Sequence, residues 1–311
     1  MRAADQPAAA AAHFHRQKYL YGFAPLGEVA EYVRTNATAD EIDRLPEITA
    51  AWNAIRPDID AVLASEAGLS ETVKITDLPP EKAAEAAALV SDKLLQRGLN
   101  LRNAVALVEI DKLIAAQRQV NLNYVDQIAA GLPSDITLDF LLGFCLSPKR
   151  EGASIQHLDL GQNAHVFSSP STDLRFLGSF LKTLTPADLE DAESGGIPVV
   201  AIVSFIGYGD SPVNVLWSGS RAVLNNGFHR VYALRQRGIR KIPVILQLAT
   251  NSALEFPAHV VDLPRDYLLT HPRPVLMKDF FEEKFNTVLK VKNKLKTVTF
   301  RPNVQQHDIP Y

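Results

Sequence analysis

The chain has 311 residues, 47% hydrophobic and 22% charged, with a formal net charge of -3. That is globular composition, enough for one large domain or two modest ones, and it excludes a surface acting throughout as an electrostatic trap for nucleic acid. The single cysteine, Cys145, excludes an internal disulfide; set in the apolar run FLLGFCLSP it reads as a small buried hydrophobe in a reducing compartment.

The start, MRAADQPAAAAAHFHRQKYLYGF, carries an alanine run that passes directly into His13, His15, Arg16 and Lys18, so no signal peptide is expected. Residues 1–103 read as a helical region. PLGEVAEYV, ITAAWNAIRPDIDAVLASEAGL and PPEKAAEAAALVSDKLLQRGL all hold apolar residues at three- and four-residue spacing. Pro79-Pro80 opens the last of these and Gly98 closes it.

Near Asn103 the texture changes to mixed α and β. AVALVEIDKLI is a β-branched run, and NLNYVDQIAAGL is a helix that ends at a glycine. DLRFLGSFLKTLTPADLED is read as a helix, with Ser171 or Thr172 as its cap and Asp173 in its positive first turn. IPVVAIVSFIG, VNVLWS and KIPVILQL read as strands, the first and last apolar enough to be buried on both faces. WSGSR is a hairpin turn that pairs VNVLWS with RAVL. From residue 265 to 311 an extension is expected: MKDFFEEKF as a helix, then VLKVKNKLKTVTF as one strand with Lys290, Lys292, Lys294 and Lys296 on one face. Such lysines either guard a sheet edge or face nucleic acid or an acidic partner. The longest apolar run, IPVVAIVSFIGYG, falls short of the roughly 20 residues of a bilayer span, so a cytoplasmic protein without membrane contact is expected.

The chemistry concentrates at Asn225-Asn226-Gly227-Phe228-His229-Arg230. Asparagine and glycine tolerate left-handed backbone, and an asparagine side chain can cap the helix that begins at Phe228. The pattern brings backbone N–H groups, the positive end of a helix dipole, an imidazole and a guanidinium to one point, which suits an anion.

NNGFHRVYALRQRGIRKIPVIL resembles the signature of the ParB/sulfiredoxin-like superfamily, in which a strand passes through such a turn into a helix and then a strand written vPv. ALVEIDKLIAAQRQVNLNYVDQI is similar to that domain's first strand and helix. The resemblance implies an α/β (α+β) fold, with the superfamily's mixed sheet over 104–264, and a nucleotide (ATP or CTP, with Mg2+) bound by Asn226, Gly227, Phe228, His229 and Arg230. His229 and Arg230 would then contact phosphates, and the activity would be that of an NTPase or a phosphotransferase, a hydrolase or a transferase. Phe228 stands where sulfiredoxin has its nucleophilic cysteine, which excludes sulfinic-acid repair, and Gln117 falls where the serine-kinase branch has a glutamate. No helix-turn-helix follows, so a ParB-like DNA-associated adaptor is the alternative reading, as is a scaffold for protein contacts alone. His229 and Asp173 are the candidate catalytic groups. Arg175, Asp210 and Asp262 are further candidates to face the turn, whereas Arg235, Arg237 and Arg240 read as solvated. His157, His165 and Asp159 lack a trusted metal spacing.

Overall fold

The computed structural model describes residues 14–91, 103–147, 154–171, 173–189, 196–208, 212–249 and 263–309. Helices combine with mixed and antiparallel sheets, an α/β (α+β) fold. Contacts divide the chain into two compact units, Met1–Lys149 with Ser211–Asn293, and Arg150–Asp210 with Lys294–Tyr311. This division cuts across the segments that texture suggested: the helical N-terminal residues and the mixed sheet belong to one unit.

In the first unit β1 (Phe14–Tyr19) leads into α1 (Leu26–Asn36), α2 (Ala39–Asp43), α3 (Leu45–Ala54) and α4 (Arg56–Ser65). The run ITAAWNAIRPDIDAVLASEAGL breaks at Ile55, because Pro57 has no N–H to offer a continuing helix. After β2 (Ile75–Thr76), α5 (Pro80–Val90) begins at the expected proline; Gly98 lies outside the described residues. Strands β3 (Asn103–Glu109), β4 (Ile114–Ala115) and β5 (Gln119–Asn121) precede α6 (Leu122–Ala130) and α7 (Leu138–Leu146). The second unit then interrupts with β6 (Gln156–Gly161), β7 (Ala164–Ser169), β8 (Leu174–Thr183) and β9 (Val200–Tyr208). The first unit resumes with β10 (Asn214–Ser218), β11 (Arg221–Asn226), α8 (Phe228–Gln236), β12 (Lys241–Leu248), α9 (Arg265–Thr270) and β13 (Thr287–Lys292). Strand β14 (Lys296–Phe300) returns to the second unit.

The main sheet runs β2-β3-β12-β10-β11-β4, parallel between β10 and β12 and between β11 and β4, antiparallel elsewhere. Its centre is apolar on both faces, with Val215, Leu216, Val223, Leu224, Ile242 and Val244 buried. Pro243 lies beyond the part of β12 that pairs with β10, so that ladder does not need the N–H it lacks. A second sheet, β13-β1-β5, packs Tyr19, Leu289 and Val291 against Val29, Val33 and Ile48.

Four expectations are corrected. DLRFLGSFLKT is a strand and not a helix, paired with β9 throughout. A bulge between Phe176 and Gly178, where Gly178 has φ +118°, shifts the register, so Phe176, Leu177, Phe180 and Leu181 acquire a spacing that imitates a helix face. IPVVAIVSFIG does form β9, but Val200, Ile202 and Phe205 are exposed on it. VLKVKNKLKTVTF is two strands: β13 pairs with β1, β14 pairs with β7, and Lys294 lies between them. Lys290, Lys292, Lys294 and Lys296 therefore share no single strand face, and Lys290 Nζ is 2.9 Å from Asp40. MKDFFEEKF forms two 3-10 turns where a helix was expected.

Candidate anion-binding turn

The hairpin of β10 and β11 turns at Gly219, φ +62°, as WSGSR predicts. At its open end the asparagines are tied to the sheet. Asn225 Nδ2 donates to Asn214 Oδ1 (2.9 Å), and Asn214 Nδ2 donates to the Ile245 carbonyl (3.2 Å) and Gln247 Oε1 (3.3 Å). Asn226 does not cap the helix; its Oδ1 accepts the Gly227 N–H at 2.7 Å. Gly227 itself is the N-cap, φ +90° and ψ 16°, and no side chain caps α8.

The space beside Gly227 is not open. A Cβ there would lie 2.8 Å from Val213 Cγ2 and 3.1 Å from Val213 Cα, so the glycine admits Val213 and the left-handed turn at once. Phe228 is buried edge-on against Phe280, with ring centroids 5.2 Å apart.

His229 and Arg230 have separate tasks. His229 Nε2 accepts the Asn121 N–H at 3.2 Å, and the ring meets Tyr124 edge to face at 5.1 Å. Burial, then the neighbouring His15, pushes its pKa down to about 4, so the imidazole is neutral and supplies no positive charge at neutral pH. It pins α8 to the start of α6, where Asn121 Oδ1 caps that helix by accepting the Tyr124 N–H. The Arg230 side chain turns inward: the residue is 7% exposed and Nη1 donates to the Phe144 carbonyl at 3.1 Å. Its Nη2 would be 3.2 Å from a Cβ at Gly227, which sets the guanidinium beside the uncapped helix start. Among the described residues no carboxylate pairs with it, and burial holds its pKa below the usual arginine value. Cys145 is fully buried nearby, its thiol pushed up to about 12 by that burial, in keeping with a packing role.

The other candidates have partners of their own or lie outside the described residues. Asp173 stands at the head of β8 in the second unit, in an ion pair with Arg175. Gln117 Nε2 donates to the Gln119 carbonyl at 2.6 Å. Arg240 Nη1 is 2.9 Å from Asp111, which also engages Arg235, and Arg237 donates to the Pro133 carbonyl at 3.1 Å. Asp210 and Asp262 lie outside the described residues. His157 and His165 are side by side on β6 and β7, with ring nitrogens 3.2 Å apart and Asp159 3.9 Å from His165. Among the described residues no group of three or more His, Cys, Asp or Glu side chains could hold a metal ion, and no helix is long and apolar enough to cross a membrane.

Sequence reasoning missed a buried ionic cluster. Arg273, fully buried, donates from Nη1 and Nη2 to Asp279 (2.9 and 2.6 Å) and from Nε and Nη2 to Glu66 (2.9 and 2.7 Å). Glu66 and Arg273 are 207 residues apart in sequence, so no local pattern signals the cluster. No family model, no curated protein and no solved structure matches the chain.

Proposed function

We propose that this chain binds a phosphate-bearing ligand, a nucleotide such as ATP or CTP, with Arg230 as the charge that receives it. One observation supports the reading above all: a guanidinium nine-tenths buried at an uncapped helix N-terminus, with no carboxylate beside it among the described residues. An uncompensated buried charge is expensive, and an anion at that point would relieve it while meeting the free N–H groups of the first helical turn. Mg2+ would enter as the counter-ion of the polyphosphate. Asn226 and Gly227 shape the turn, Phe228 anchors it, and His229 positions α8 as a neutral acceptor. Hydrolysis or transfer of the phosphate is the activity such a site would serve. Asp173, paired with Arg175, is not carried forward as its base.

A second reading has its own support. His229 is engaged by Asn121, Arg230 by Phe144 and Gly227 by Val213, the contacts expected of a turn kept for architecture alone. Calorimetric titration with ATP, CTP, GTP and ADP, with and without Mg2+, separates the two. Arg230→Lys keeps a charge but loses the planar donor fork, and should weaken binding roughly tenfold, since each 1.4 kcal/mol is a factor of ten. Absence of binding by the folded wild-type chain at millimolar nucleotide would leave the architectural reading standing.

A further inference from the structure

The second unit has little apolar core to hold it. Among its described side chains, Leu174 is the one apolar group that is buried. The chain's single cysteine, Cys145, belongs to the first unit, so no internal disulfide braces the second. Folded units this poor in buried apolar surface are commonly secured by a cross-link or a metal ion.

The β6-β7 hairpin carries the ligands such an ion would need. His157 lies opposite Phe167 and Asp159 opposite His165, so both imidazoles and the carboxylate belong to one face of the hairpin. His157 Nε2 and His165 Nδ1 are 3.2 Å apart. Two nitrogens about 2.05 Å from one ion are separated by about 2.9 Å at a right angle and by about 3.3 Å at the tetrahedral angle. The observed spacing falls between those limits, so one ion meets both nitrogens with little movement of either ring.

The fold holds the pair in place. The His157 ring stacks on Phe167, with centroids 4.9 Å apart and planes 21° from parallel. Asp159 Oδ1 accepts the Gly161 N–H at 2.7 Å and sits 3.9 Å from His165 Nδ1. The hairpin turns at Gln162 and Asn163, with φ of 53° and 58°, the described residues other than glycine that have positive φ. Left-handed backbone is costly for glutamine, and such strain gathers where a site must be held. His157 is exposed, and the His165 side chain is 33% exposed, so an ion can reach both.

Chemistry selects the ion. Paired imidazoles suit Cu2+, Ni2+ or Zn2+, whereas Mg2+ and Ca2+ take oxygen ligands. Asp159, and a unit whose carboxylates outnumber its lysines and arginines, favour a cation over an anion. We propose that His157 and His165 together bind one late first-row divalent ion, with water completing its shell, and that the ion staples β6 to β7. The inference stands apart from the nucleotide reading, whose ion is Mg2+ on the phosphates.

The test is calorimetric titration of the intact, untagged chain with Zn2+, followed by hydrogen exchange of the same samples read by mass spectrometry. Wild type should bind Zn2+ with a dissociation constant below about 100 µM. At ten times that constant, exchange across β6 and β7 should slow about tenfold, because the ion holds the closed hairpin. His157→Gln and His165→Gln should each weaken binding at least tenfold and remove the protection. A wild-type chain that binds no Zn2+ at about 1 mM, or binding that either variant leaves unchanged, overturns the proposal. So does protection confined to residues outside β6 and β7, since His13 and His15 are the chain's other closely spaced histidines. The exchange map of wild type is decisive whether or not a variant folds.

Discussion

The neutral state of His229 makes folding stability depend on pH within a defined window. In the unfolded chain an imidazole titrates near 6.5, whereas in the folded protein burial holds His229 to about 4. Above about pH 6.5 the ring is neutral in both states and its contribution is fully present. As pH falls toward 4 the unfolded chain takes up a proton that the folded one refuses, so stability declines. The difference of about 2.5 units, at 1.36 kcal/mol each, sets an upper figure of about 3 kcal/mol, reduced by whatever solvent reaches the partly exposed ring. His229→Gln preserves an acceptor for the Asn121 N–H and does not titrate. Urea denaturation of both proteins at steps from pH 7.5 to 4 should show the wild type losing about 2–3 kcal/mol more than the variant, with the carboxylates and other histidines cancelling in the comparison. Parallel curves, or a ring pKa above 6 by NMR, would refute the contact geometry on which this rests.

Gly227→Ala combines positive-φ strain, about 1–2 kcal/mol, with a clash against Val213 of about 1–3 kcal/mol, so urea denaturation should report a loss of about 2–5 kcal/mol. A loss under about 1 kcal/mol would mean that the turn relaxes. Asp279→Ala should cost about 3–5 kcal/mol, because Arg273 would be left with Glu66 alone, itself shared with Lys278. Arg273→Met with Asp279→Leu should cost less than the two single changes added together, a coupling that a double-mutant cycle measures directly. Cys145 should resist thiol reagents in the native protein about a thousandfold or more relative to a free thiol, with labelling that tracks unfolding, since its pKa is pushed up to about 12.

The order strand, turn, helix and vPv strand was legible over residues 221–248 because every step there is local. The Gly219 turn, the positive φ at Gly227 and the apolar run of β12 are written within a few residues of where they act. The same holds for α6, capped by Asn121 and stopped by Gly131. What the pattern concealed came from elsewhere in the chain. Gly227 is required by Val213, across the hairpin, and His229 is held by the Asn121 N–H, from more than a hundred residues earlier. One bulge at Gly178 converted strand periodicity into apparent helix periodicity. The strict alternation of VLKVKNKLKTVTF carries straight through residues 293–295, where the chain leaves one sheet for another, because period two reports a strand but not which strand it pairs with.

The pairing of β1 with β13 also sets a clock on biosynthesis. Phe14 lies opposite Lys292 and Tyr19 opposite Thr287, so about 270 residues must be made between one side of this ladder and the other. At about 5–20 residues per second, β1 waits about 15–50 s with that edge unpaired. The second unit waits longer still, because β14, which pairs with β7, is made after β13. A nascent chain stalled shortly before residue 287 therefore holds every helix from α1 to α9 yet exposes an open strand beside Leu20 and a β6-β7 hairpin without its third strand, the kind of intermediate that chaperones exist to shield.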